Sequence, residues 1–394
     1  MKDKNILKYY AFRSLIKRIS TPILVIYMLD IGLSLGQIAT VAAVGSIMSI
    51  IFEVPSGMLA DTFGHKATLI ISCIGKVAVV LSYLGGTFAW ILAARIGYSF
   101  FGALFSGTAD ALFFEYLQEQ GRADEHKKLA GKAKGIAYQF GIISMLIAGA
   151  AYTFAFWLPF ALEVVQFILA AVVIYSFAAP KKAVNVSEKE GFWYFLSHFS
   201  TSSRQIMKNR MLGWLVIVSA LIQGVILATI EFRQVLYTDV GLIALYIGGI
   251  YALNRFVAGI AAPFTHVLTD KFSVSQAITG LGWMLILHLV IVSVTKSPLV
   301  IIFGMLLGAA ARIVLNVATN DYANHLSTNG SRATLLSMNS LIQSLVAALM
   351  AGVFGYVMHV LGVSEGYMVS ASILLIIVVL SIYSIPKKRA LAKN

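Results

Sequence analysis

Apolar runs of about 20 residues follow one another along almost the whole chain, and each is long enough to cross a bilayer as a helix. Twelve such spans are read at 9–30, 35–60, 66–86, 89–116, 128–154, 157–178, 211–237, 243–269, 275–294, 298–322, 333–360 and 365–385. Very short connections join 66–86 to 89–116 and 128–154 to 157–178, which makes each pair an antiparallel hairpin. The composition agrees: 59% of the 394 residues are hydrophobic and 12% are charged. A water-soluble protein carries about 25% charged residues. Too little polar surface remains here to cover a water-exposed globule, so lipid must be the solvent for much of the chain.

The second constraint is a duplication. Asp30-Ile31-Gly32-Leu33 returns 209 positions later as Asp239-Val240-Gly241-Leu242. Leu59-Ala60-Asp61-Thr62-Phe63 returns at the same offset as Leu268-Thr269-Asp270-Lys271-Phe272. Asp110 and Glu115 return, 206 positions on, as Asn316 and Asp321. Three correspondences in one order predict two copies of one six-span unit, an arrangement that places a substrate site between the halves. The fold expected is all-α: two pseudo-symmetric six-helix bundles, 1–179 and 211–394, joined by a linker at 180–210. Pro180 is read as ending span six, and a short interfacial helix is expected around Phe192–Phe199.

The connections alternate in charge. Lys2, Lys4 and Lys8, then His65 and Lys66, Arg122 to Lys134, Lys181 to Arg210, Lys271, Arg332 and Lys387 to Arg389 fall on one side. The opposite side offers Lys296 as its only base, beside Asp30, Asp239 and Glu365. The basic side is cytoplasmic by the positive-inside rule, which puts both termini there in a multi-pass protein of the cell membrane. The same clustering explains the formal net charge of +13 without nucleic acid as a partner. Arg13, Lys17 and Arg18 interrupt the first run, so it reads as an uncleaved helix rather than a signal peptide. Cys73, the single cysteine, leaves no intramolecular disulfide and no thiolate metal cluster. His288 reads as a packed histidine, since no ligand-spaced partner accompanies it. The chain carries no Walker loop, nucleophile elbow or zinc-protease motif, which argues against an enzyme and against ATP as energy source.

Gly57-Met58-Leu59-Ala60-Asp61-Thr62-Phe63-Gly64-His65-Lys66, between spans two and three, resembles the signature loop of the major facilitator superfamily, Gly-x-Leu-Ala-Asp-x-x-Gly-Arg-Lys. Phe52–Ser56 before it and Ser106–Glu115 in span four are similar to drug-efflux members, proton-coupled multidrug antiporters. Gly57 is expected to allow close helix contact and Gly64 a backbone turn. The resemblance implies that Asp61 contacts the start of span eleven, near Arg332, and latches an outward-open state, with Lys66 and the repeat's Asp270 in the same gating set. A topogenic turn with no gating role is the plainer alternative. His65 stands where the family usually has Arg, which weakens the loop's positive charge.

Ionisable groups at membrane depth cost several kcal/mol unless paired or hydrated. Similar depths suggest a network of Arg18, Glu53 and Asp110, either a structural ion-pair cluster or a proton relay, with Glu115 and its repeat partner Asp321 nearby. The superfamily lines its cavity with spans one, four, seven and ten. Three- and four-residue steps then give cavity candidates: Arg95, Ser99, Gly102 and Ser106; Arg312, Asn316 and Asn320; and Gln223, Leu227 and Glu231. Lys76 and Arg255 lie on spans outside that lining and read as structurally paired. Drug exporters often carry an acid in span one, whereas this chain has three bases there. Glu231, Glu53 and Asp110 therefore become the proton-coupling candidates. No Pro lies within Gly135–Phe156 of span five, a departure from the Gly-Pro-rich motif common in antiporters.

The function expected is secondary active export of a lipophilic or drug-like small molecule by alternating access. It would be driven by a proton gradient, with no bound cofactor or metal and with membrane lipids around a monomer. A second reading is transport of an organic anion, sugar or peptide bound through Arg95 and Arg312. A lipid flippase is the third.

Overall fold

The computed structural model describes residues 3–178, 208–326 and 332–386, and among them every regular element is helical. Among the described residues, eleven helical stretches are long and apolar enough to cross a membrane. The twelfth expected span, the first, is not one helix. It is split into α1 (Lys4–Leu15) and α2 (Leu24–Asp30), with residues 16–23 between them outside α-helix. Pro22 explains the interruption: it has no N–H to donate and its ring clashes with the carbonyl four residues earlier, that of Arg18. The freed Arg18 carbonyl instead accepts from Thr21 Oγ1 at 3.1 Å.

The rest of the first six spans are α3 (Leu35–Phe63), α4 (His65–Tyr83), α5 (Phe88–Phe105) with α6 (Thr108–Glu119), α7 (His126–Phe154) and α8 (Leu158–Tyr175). Span four is jointed as well, because Gly107 between α5 and α6 takes a left-handed φ of +78° that other residues resist. The second half holds α9 (Arg210–Asp239), α10 (Ala244–Ala261), α11 (Thr265–Lys271), α12 (Val274–Val294), α13 (Pro298–Leu326), α14 (Arg332–Val360) and α15 (Val363–Tyr383). A 3₁₀ turn at Ala262–Phe264, carrying Pro263, separates α10 from α11 within span eight. The expected linker 180–210, with Pro180 and Phe192–Phe199, falls almost wholly outside the described residues.

The duplication is visible in the backbone. Asp30 and Asp239 are the last residues of α2 and α9. The glycines two positions on, Gly32 and Gly241, have φ of +85° and +80° and turn the chain left-handed at both places. Ser34 closes a capping box with Gln37 at the start of α3; a second one, Ser273 with Gln276, starts α12 at a position that is not its repeat equivalent. Gly64 also turns left-handed as expected, at +79°, and starts α4.

Chain contacts form two compact units: residues up to 192 with Gly241–Leu253, and the remainder. In the first, α3 packs on α5, α4 on α5 and α8, and α1 on α7 and α8. Lipid tails are as apolar as leucine, so close packing and hydrogen bonds, rather than water exclusion, hold such helices together. Aromatic side chains supply much of that packing. Tyr9 and Phe113 stack with ring centroids 3.9 Å apart, and Phe12 stacks on Phe105 at 5.4 Å. Gly149 of α7 and Gly248 of α10 bring backbones together: a Cβ on either would meet the other's Cα at 2.9 Å. In the second unit α9 packs on α14 and α15, with Phe232, Phe354 and Tyr367 in edge-on contact near 5.1 Å. Most apolar side chains from Leu212 to Leu236 of α9 are buried, with Ile217 exposed and Leu221, Leu227 and Ile230 partly so, whereas leucines and valines of the other spans are often exposed, as lipid-facing residues are.

Substituting Val at Gly149 or Gly248 should cost about 1–3 kcal/mol through overpacking. The expected result is a clear fall in the melting temperature of the detergent-purified protein. Gly131→Ala, where a Cβ meets nothing within 4 Å, should leave it unchanged or raise it slightly.

Candidate functional site

The charged groups at membrane depth sort into separate clusters. Asp110 sits in the first turn of α6, where the helix dipole favours a carboxylate. Tyr9 donates its hydroxyl to Asp110 Oδ1 at 2.5 Å, Arg13 Nη1 lies 3.5 Å from the same oxygen, and Lys134 Nζ lies 3.5 Å from Oδ2. Spans one, four and five thus meet at one carboxylate.

The expected Arg18–Glu53–Asp110 network does not form. Arg18 lies beyond the end of α1, away from the face through which Arg13 reaches Asp110. Arg18 instead lies 3.8 Å from the wholly buried Glu163 of α8, with its guanidinium over the rings of Tyr98 (4.2 Å) and Tyr83 (5.0 Å). Glu53 is exposed.

Glu115, one and a half turns beyond Asp110, takes a third set of contacts. His65 Nδ1 is 3.0 Å from its Oε1, so the residue that departs from the family loop ties that loop to span four. Lys66 donates from Nζ to the carbonyl of Phe177 at 2.8 Å, just past the end of α8 where a cation suits the helix dipole. The side chains of Asp61 and Arg332 lie outside the described residues, so the latch between them is not part of this geometry. A Cβ on Gly57 would meet nothing within 4 Å among the described residues. In the second unit Asp270 is exposed, Asp321 pairs with His325 of its own helix at 3.7 Å, and Tyr322 donates to Phe272 O at 2.9 Å.

The stripes differ between the halves. Ser99 is buried, donates to the Gly45 carbonyl of α3 at 3.0 Å and accepts from Ser49 at 3.4 Å. Arg95 also lies against Gly45: a Cβ there would fall 1.8 Å from its Nε. This pair on span four is therefore turned toward span two. Gln223 is buried within α9. On α13, Arg312 and Asn320 are partly exposed and Asn316 exposed, and Asn320 Nδ2 donates to Asn316 Oδ1 one turn earlier at 3.0 Å. Glu231 is partly exposed on α9. His288 is buried, with Nδ1 2.8 Å from the Gly304 carbonyl, as a packed histidine should be. No grouping of metal-ligating side chains occurs among the described residues.

One cluster went unread as a unit: Arg18, Lys76, Glu163 and Gln166. Lys76 is buried with Nζ over Phe105 (4.4 Å), Tyr98 (5.0 Å) and Phe167 (5.4 Å). The sequence signal was present in the three-residue spacing of Glu163 and Gln166 on an otherwise apolar span, opposite a proline in span one.

Comparison with known proteins places this architecture. The family model described as Major Facilitator Superfamily matches residues 9–276. The uncharacterized MFS-type transporter YxaM of Bacillus subtilis (strain 168) is 25% identical over 377 residues, 94% of this chain and 93% of that protein. Among solved structures, the nucleoside transporter NupG superposes with a TM-score of 0.78 at 12% identity, covering 98% of both chains. An inward-facing, occupied bacterial homolog of the human lysosomal transporter Spinster gives 0.74 at 15% identity over 97% of this chain and 95% of that one. The D-xylose-proton symporter gives 0.65 at 16% identity, covering 98% and 96%. A jointed first span, a duplicated turn after each half's first span and a family match over more than half the sequence lead to one conclusion: the chain belongs to the Major Facilitator Superfamily and is a membrane transporter, not an enzyme.

Proposed function

We propose that this transporter exports a lipophilic or drug-like small molecule in exchange for protons, by alternating access, as a monomer in the cell membrane with both termini cytoplasmic. The observation that carries the reading is Asp110. A coupling carboxyl must change partners as it gains or loses a proton, and its charge must bias a conformational equilibrium. Asp110 of span four is held by groups from two other spans, one and five, next to the left-handed turn at Gly107. Protonation would remove its attraction for Arg13 and Lys134 and release α6 from α1 and α7. The drug-efflux likeness of Ser106–Glu115 supports the cargo class, and the loop from Gly57 to Lys66, anchored by His65 and Lys66, supports a gating role for Asp61.

The second reading, an organic anion or another polar solute, is favoured by the stripe Arg312–Asn316–Asn320. A guanidinium followed by two amides on one helix face suits a carboxylate or a hydroxyl-rich ligand.

Proteoliposomes with an imposed pH gradient, screened with dyes, antibiotics and small organic anions, test both. Under the first reading lipophilic compounds move against their gradient, and Asp110→Asn lowers gradient-driven flux at least about tenfold, a change of ~1.4 kcal/mol or more. Exchange down a concentration gradient should persist in that variant. Transport that ignores the pH gradient in the wild type would overturn proton coupling. Under the second reading anions compete for transport, and Arg312→Ala abolishes that competition while leaving the melting temperature in place.

A further inference from the structure

Beyond Asp110, the first unit holds a second ionisable cluster whose charges do not balance. The interruption at 16–23 leaves backbone groups that a bilayer cannot satisfy. Span six meets them with two side chains one turn apart. Gln166 donates from Nε2 to the carbonyls of Leu15 (2.5 Å) and Lys17 (2.6 Å), and Glu163 Oε2 accepts from the Ser20 amide at 2.7 Å. Arg18 Nε donates to Ser20 Oγ at 2.9 Å. What remains is unmatched. Glu163 Oε1 has no hydrogen-bond donor and Arg18 Nη2 no acceptor among the described residues, and both atoms are buried. The ring of Tyr98 lies beneath two cations at once, Arg18 and Lys76.

With Lys76 protonated, two cations face one carboxylate inside the unit, and the excess charge is stabilised only by aromatic faces, worth about 2 kcal/mol when desolvated. A net charge in such surroundings costs more than that unless water or a counter-charge reaches it. With Lys76 neutral, the buried Glu163 faces the guanidinium of Arg18 without the added charge of the ammonium. Lys17, Cys73, Tyr83, Arg95 and Tyr98 are the other titratable or charged groups facing it, from spans one, three and four. None of them supplies a second carboxylate.

We infer that Lys76, with Glu163 and Arg18, forms a proton-binding site that opens and closes the joint in span one. Deprotonation passes one proton from the ε-ammonium to water, lowers the positive charge of the cluster by one, and lets Glu163 and Gln166 hold the 16–23 backbone closed. Proton uptake restores the excess charge, which is relieved when the joint loosens and admits water. Glu163 and Gln166 are positioning residues here; Lys76 carries the proton. This inference deepens the proton-coupled reading but is tested on the purified protein, without any substrate.

The experiment is hydrogen exchange of the amides in 16–23, corrected for intrinsic exchange, across about pH 6–10, the range open to a buried lysine and its surroundings. In the wild type, corrected exchange should be at least about tenfold faster at the acid end, with a single transition. Lys76→Met should show slow exchange throughout, and Lys76→Arg, always charged, fast exchange throughout. Glu163→Gln, lacking the counter-charge, should move the transition to lower pH while circular dichroism stays helical. A flat wild-type profile, or a wild-type transition retained in Lys76→Met, overturns the inference. If Lys76→Met does not fold, the Lys76→Arg profile decides: a retained transition refutes the site. A titrating joint in a protein whose transport ignores the pH gradient would leave this site standing and remove the antiport reading alone.

Discussion

The structure depends on one demand of the bilayer: no backbone N–H or C=O can be left without a partner where water is absent. Regular helices meet it automatically, which is why nearly all the described chain is helical. Wherever the chain departs from a helix inside a span, a side chain must repay the lost bond. Gln166 and Glu163 do so at the interruption in span one, and Thr21 does so for the carbonyl orphaned by Pro22. Placing polar groups there brings charge with it, since Arg18 needs Glu163 and Lys76 must then share the same aromatic surroundings. A backbone requirement has thus assembled an ionic centre.

Span number, helix ends and the internal duplication were legible because they rest on local patterns. An Asp at a helix end and a glycine two residues on mark the same left-handed turn in both halves. The partners of the charged groups were not legible. Depth along a span can be counted from the sequence, but the side of the helix a residue faces changes wherever the helix is interrupted. Arg13 and Arg18 are close in sequence yet serve different acids, Asp110 and Glu163, because residues 16–23 leave the helical path. Arg95 and Ser99 keep their common face, but that face is turned to the Gly45 backbone, a close approach that only glycine permits and that spacing on span four alone cannot reveal.

Family membership fixes the machinery more firmly than the cargo, since one fold carries many chemistries. What distinguishes this member is where its ionisable groups lie. Span one carries bases instead of an acid. The carboxylates that balance them come from spans four and six, and the loop arginine of the family is replaced by a histidine bound to Glu115. Charge compensation has been redistributed between helices without altering their order.

The two copies of the duplicated unit have diverged mechanically. Span seven, the counterpart of span one, is a single 30-residue helix, Arg210–Asp239, whereas its twin is two short rods with a knuckle between them. A push at one end of an unbroken rod arrives at the other end. Across a knuckle the helical ladder is interrupted, and what passes between the segment before Leu15 and the segment after Leu24 goes through the side chains that hold residues 16–23. One half of the molecule is thereby built as a stiff lever and the other as an articulated limb.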